Sequence, residues 1–228
     1  MSRTASAVLA ALALLLAGEA APCRAQTSSG PPPVELADTP GYPPLPAAEA
    51  EAVHAVLRAY FDAVTHRDGA AAVQAVTRTT RGYYARMRDL ALTATEAQVR
   101  AAPLMDRVSI LMYRHRVPAG VLRTLAGDSA FAHTISAGWV AATAGEPPAM
   151  GPVFGRGDRA IMRDRGTSMQ FVREDGAWRW DMMPLIRGAS REFAASLPGG
   201  MTEEQFIFRV LEMSTGRPAS PSVWQPVQ

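Results

Sequence analysis

The chain has 228 residues, 23 basic and 21 acidic, for a formal net charge of +2, and 48% of its residues are hydrophobic. Every basic residue is an arginine, which excludes the Schiff-base and phosphate-loop chemistries that need a lysine amine. The arginines are interleaved with acids and aromatics do not alternate with them, so nothing calls for a nucleic-acid partner.

The N-terminal stretch MSRTASAVLAALALLLAGEAAPCRAQ joins one early arginine to a short apolar run and then to small residues. That pattern predicts a secretory signal peptide over residues 1–25, with cleavage before Gln26 and a periplasmic or secreted product. The apolar run falls short of the roughly 20 residues a membrane-spanning helix needs, so no permanent anchor is expected. Pro22 stands directly before Cys23, where a lipoprotein signal carries a small residue, which argues against lipid anchoring. Cys23 is the sole cysteine, so its removal with the signal would leave neither disulfide nor thiol chemistry. Residues 26–48 are proline-dense and aperiodic, as in a tether.

Residues 49–214 read as one α+β domain: several helices packed on a small curved antiparallel sheet, closed by a C-terminal amphipathic helix. From Glu49, the apolar residues Val53, Val56, Leu57, Tyr60, Phe61 and Val64 recur at helical spacing. Asp68 caps a second helix expected over 69–77, and a third is expected over 83–93. TEAQ at 95–98 is a capping box for a short helix that must stop near Pro103. The next stripe is Leu104, Val108, Leu111, Met112 and His115. Pro118 opens a helix expected to end at Gly127, and Asp128 is the expected cap of another reaching Gly138.

After Trp139 the period changes from 3.6 to 2. Strands are expected at 153–154, 159–163, 167–173 and 177–183, separated by Gly and Asp turns. A two-residue turn at Asp175-Gly176 puts Phe171 opposite Trp180, Arg173 opposite Trp178 and Met169 opposite Met182, all on one face. Gln170, Val172, Arg179 and Asp181 then share the other face. A short helix near 190–197 and an amphipathic helix starting at TEEQ follow. Residues 215–228 have the character of a flexible tail whose Trp224 can dock on the body.

The helix VHAVLRAYFDAVTHRDGAAAVQAV and the hairpin FVREDGAWRWDM together resemble the nuclear transport factor 2-like superfamily, which includes ketosteroid isomerases and related dehydratases beside many members without known catalysis. The resemblance implies a cone of helices against a curved sheet. It also implies, for the isomerase-like members, that Tyr60 corresponds to a tyrosine donating a hydrogen bond to a developing oxyanion. The carboxylate base that follows the second helix in those enzymes has no counterpart: TRTTRGYYARM carries no acid before Asp89. The predicted helices over 95–138 also occupy a place where many members have strands.

The candidate catalytic residues are therefore Tyr60 with His115 or Asp181 as acid or base. Each has a plainer reading: Tyr60 as core, His115 as a satisfied helix-end histidine, Asp181 as a cross-strand partner. His54, His66 and His133 lie off the apolar faces and read as solvated. No close histidine pair suggests a metal, and no cofactor is implied. Three functions stay open at this level: a non-catalytic module holding a small apolar ligand or a protein partner, an isomerase or dehydratase, and a structural element that assembles through its sheet or last helix, for instance as a homodimer. The missing base favours the first.

Overall fold

The structure is a computed structural model that describes residues 41–139, 150–164, 167–195, 197 and 200–227. The expected signal peptide, Cys23 and most of the tether lie outside the described residues. The fold class is α+β, as the periodicities predict, with nine α-helices and one antiparallel four-stranded sheet among the described residues.

Helix α1, Ala47–Thr65, buries Val53, Leu57, Tyr60, Ala63 and Val64, the stripe read from the sequence. Its end is set by Arg67, which adopts a left-handed φ of 55°, and by Asp68, whose Oδ1 accepts the Ala71 amide at 2.9 Å to start α2, Gly69–Ala75. Gly69 is required at this point because a Cβ there would lie 2.3 Å from the Ala132 carbonyl oxygen. That close approach lets α7, Asp128–Ser136, cross the start of α2.

The second helix is shorter than expected and the third, α3, Arg78–Thr93, begins five residues earlier. The reason is tertiary. Val76 is drawn into a parallel bridge with Trp180, and the Thr77 amide donates to the Trp180 carbonyl at 3.1 Å. Thr77 then caps α3, accepting the Thr80 amide, and Thr80 Oγ1 accepts the Met182 amide at 3.1 Å. Helices α4, Glu96–Arg100, α5, Leu104–Arg116, and α6, Ala119–Thr124, follow. The Thr95 capping box is present as predicted. Asp128 is the first residue of α7 instead of its cap, Gly127 taking the cap position; its carboxylate, at the favourable end of the helix dipole, pairs with Arg81.

Strands β1, Val153–Arg156, β2, Arg159–Asp164, β3, Thr167–Glu174, and β4, Ala177–Asp181, form a meander in the order β1-β2-β3-β4. The expected register holds: Phe171 faces Trp180, Val172 faces Arg179, and Arg173 faces Trp178. Asp175 and Gly176 both take positive φ, 52° and 79°, as a type I′ turn demands. The expected Met169–Met182 pair does not form, because β4 ends at Asp181. Met182 has turned its amide to Thr80, and Asp181 Oδ1 accepts the Met183 amide at 3.1 Å to open α8, Met183–Ala195. This helix begins well before the predicted 190.

Both sheet edges are covered. Val76 and Thr77 take the β4 side, and the end of the expected tether takes the β1 side: the Leu45 amide donates to Val153 and the Gly155 amide to Pro43. Residues 43–45 thus belong to the sheet's margin, and two adjacent prolines leave that margin poor in donors, which discourages further pairing.

Two cores result. The first lies between α1, α2, α7 and one sheet face. The second joins α3, α5, α8 and α9, Glu203–Thr215, to the last residues. The tail after 215 is docked, contrary to a flexible reading: Ser220 caps a 3₁₀ turn at Pro221–Trp224, and Trp224 is 2% exposed.

Candidate functional site

Tyr60 projects from the middle of α1 and is 2% exposed. Its ring meets Trp180 edge-on, centroids 4.8 Å apart, and Phe61 at 5.5 Å. Burial drives its hydroxyl pKa up, away from ionisation, with the nearby Tyr84 adding to the effect. Leu57, Phe171 and Met162 are also fully buried in this core. The space between the first helix and the strands is therefore packed with side chains.

Asp181 ends β4 on the opposite sheet face from Trp180, as strand alternation requires. One of its carboxylate oxygens is occupied by the Met183 amide, so its role is to start α8. His115 belongs to the rim of the other core, at the end of α5. Its Nε2 lies 2.9 Å from Thr215 Oγ1 at the end of α9, and partial burial, with Arg217 and Arg116 nearby, lowers its pKa against the opposing pull of Glu212. The three candidates are thus on an inner helix face, an outer sheet face and a second core, and the structure does not bring them together.

His115 does border a surface recess of about 210 Å³, lined also by Arg114, Ser220, Val223 and Gln225. The recess lacks free donors from its one guanidinium. Arg114 Nε donates to Ala91, Nη1 to Val223 and Trp224, and Nη2 to Leu90 and Ala94, all backbone carbonyls. Five donors meet five acceptors, so the residue is a latch between the end of α3 and the tail. Its burial brings its pKa down to about 10.

Three further groups were not predicted. Glu49 accepts Trp178 Nε1 at 2.8 Å and pairs with Arg173, whose guanidinium lies 4.4 Å from the Trp178 ring centroid. The Arg173–Trp178 pairing was legible in the hairpin, but the carboxylate that clamps it comes from α1. These two hydrogen bonds hold the Glu49 carboxyl below its usual pKa. His54, read as solvated, reaches the Gly151 carbonyl at 2.9 Å and so ties α1 to the approach to β1.

The third is the outer face of the sheet. Register places Arg156 opposite Arg159, Arg159 opposite Val172, and Val172 opposite Arg179, one row across all four strands. The adjacent row reads Phe154, Ile161, Gln170, Asp181. The GRGDR hairpin could have signalled the first of these pairs, since a two-residue Gly-Asp turn sets its arginines face to face.

Among the described residues, no group of three His, Cys, Asp or Glu side chains could hold a metal ion, and no helix is long and apolar enough to cross a membrane. No family model, curated protein or solved structure matches the chain.

Proposed function

We propose that the chain is an exported, non-catalytic binding module of nuclear transport factor 2-like architecture that engages a protein partner. The observation carrying this reading is the separation of Tyr60, His115 and Asp181. Oxyanion chemistry needs a donor and a base within one substrate's width. Here the donor's ring is packed against Trp180, one carboxylate oxygen serves a backbone amide, and the histidine bonds a threonine in another core. The filled space beside Tyr60 also removes the natural seat of a small apolar ligand, which leaves surface recognition.

The test is a Tyr60→Phe substitution in purified protein, with cyclic ketones and hydroxyketones as trial substrates. The wild-type protein is expected to show no turnover, and the substitution to change unfolding free energy by about 1 kcal/mol. Turnover that Tyr60→Phe abolishes while the chain stays folded would overturn the reading. Export is checked separately by intact mass: a chain recovered from the native envelope should begin near Gln26 without acyl groups, and a diacylated Cys23 start would contradict it.

A further inference from the structure

The outer sheet face carries an unbalanced charge. Arg156 and Arg159 sit directly opposite each other on adjacent strands, an arrangement that like charges disfavour. Arg179 completes the same row beyond Val172. None of the three side chains makes a hydrogen bond or ion pair among the described residues. Arg58, Arg78, Arg81, Arg100, Arg107 and Arg173 each pair with a carboxylate; other arginines, such as Arg123, make no ion pair among the described residues, but only in this row does strand register align three such guanidiniums. Two acids share this face: Asp181 accepts the Met183 amide, and Glu174, two residues beyond Val172, accepts the Arg78 amide.

Beside the cationic row, on β1 and β2, lies an apolar pair. Phe154 and Ile161 are register partners, and with Val172 they belong to neither core among the described residues. Helices α1 and α2 pack from the Trp180 side, and Leu185 of α8 also joins that inner core. The two rows run side by side about 7 Å apart: on β1 and β2 the apolar pair Phe154 and Ile161 flanks Arg156 and Arg159, and on β3 and β4 the same row continues as Gln170 and Asp181.

We propose that this face docks an acidic, amphipathic segment of a partner protein, its carboxylates on Arg156, Arg159 and Arg179 and its apolar side chains on Phe154 and Ile161. This rests on the binding-module reading and names its surface and the partner's chemistry. Guanidiniums favour carboxylates through paired, directional hydrogen bonds. An apolar strip alongside the charges suits an alternating peptide better than a polyphosphate backbone, which offers no side chains to fill it. It also suits such a peptide better than a bilayer, which rewards protruding apolar groups, whereas Phe154, Ile161 and Val172 are half-buried in the sheet.

The experiment titrates the full purified chain into a fluorescent peptide of alternating Glu and Leu, following anisotropy at low and high salt. Comparison probes are the same peptide with Gln for Glu, single-stranded DNA, and phosphatidylglycerol vesicles. Saturable binding of the Glu peptide that weakens at least tenfold in Arg156→Gln/Arg159→Gln/Arg179→Gln, with an unchanged melting temperature, is the expected result. Arg123→Gln, an exposed arginine on α6 away from the sheet, should leave binding intact. Phe154→Ser should weaken binding without abolishing its salt dependence. No saturable binding, equal loss in the Arg123 variant, or tighter binding to DNA or vesicles than to the Glu peptide would overturn the proposal. Failure here without ketone turnover removes only this surface, whereas turnover dependent on Tyr60 removes the binding-module reading itself.

Discussion

At the scale of single residues, the most consequential side chains are large and aromatic or long and cationic. Trp180 is 6% exposed, packs on Tyr60, and carries the edge carbonyl that receives Thr77. Trp180→Ala should cost about 3–5 kcal/mol, the range for large-to-small changes in a core; exposed Asp62→Ala should cost little. Urea unfolding of the two variants checks this, and equal small losses would contradict the assigned inner face. Arg114 differs in kind, because its value lies in satisfying five carbonyls that a helix end and a turn leave open. Arg114→Met keeps the apolar stem and removes the donors, so about 2–3 kcal/mol should be lost, on the scale of charged hydrogen bonds. The loss should appear together with protease sensitivity after residue 215.

At the scale of elements, covered edges and docked ends decide where helices and strands stop. The tail shows the balance of terms. Arg100 lies 4.1 Å from the Trp224 ring centroid, Gln225 Nε2 donates to Glu96 at 2.9 Å, and Arg114 closes the turn. Truncation after Arg217 should therefore expose the second core beside Phe208 and α5, lower the melting temperature by several degrees, as a loss of about 2 kcal/mol does in a domain of this size, and leave the β-hairpin intact. A truncated chain with unchanged melting would show that the tail is an ornament. The β3–β4 turn offers a second check. Gly176 holds φ 79°, a conformation that an alanine resists, so Gly176→Ala should destabilise by about 1 kcal/mol, with no change in the register of the hairpin measured by amide exchange.

At the scale of the whole molecule, two half-buried histidines make stability depend on pH. His115 has a lowered pKa through burial, then Arg217 and Arg116, with Glu212 opposing; His133 has one through burial and Arg116. For both, the folded pKa lies below the unfolded value of about 6.5. Between the two values the unfolded chain binds more protons, so folding stability falls as pH drops below about 6.5 and its decline levels off once both states are protonated. Carboxylates such as Glu49, whose pKa is also lowered, add their loss at more acid pH. Urea midpoints at pH 7.5 and 5.5 should differ less in His115→Gln/His133→Gln than in the wild type. A wild-type midpoint that rises on acidification would contradict the neutral state of these rings.

The sequence by itself determined the α+β class, the α1 stripe from Val53 to Val64, the Thr95 capping box and the Asp-Gly hairpin with its inner and outer faces. These depend on contacts close in the chain: periodicity decides which face is apolar, a cap needs only the next turn, and a two-residue turn fixes strand register. The same locality is why it misplaced other features. Thr77 looks helical until β4 offers its amide a carbonyl, Pro43 and Leu45 look like tether until β1 offers an edge, and Trp224 belongs to a tail until Arg114 finds its carbonyl. Whether Tyr60, His115 and Asp181 form a site was beyond local pattern, because they come from a first helix, a fifth helix and a last strand, and only packing decides whether such side chains meet. Tertiary structure sent them to an inner core, a second core's rim and an outer face. It also gathered Arg156, Arg159 and Arg179 into a row, because antiparallel pairing aligns residues that the sequence spaces by turns, and the meander repeats that alignment across four strands.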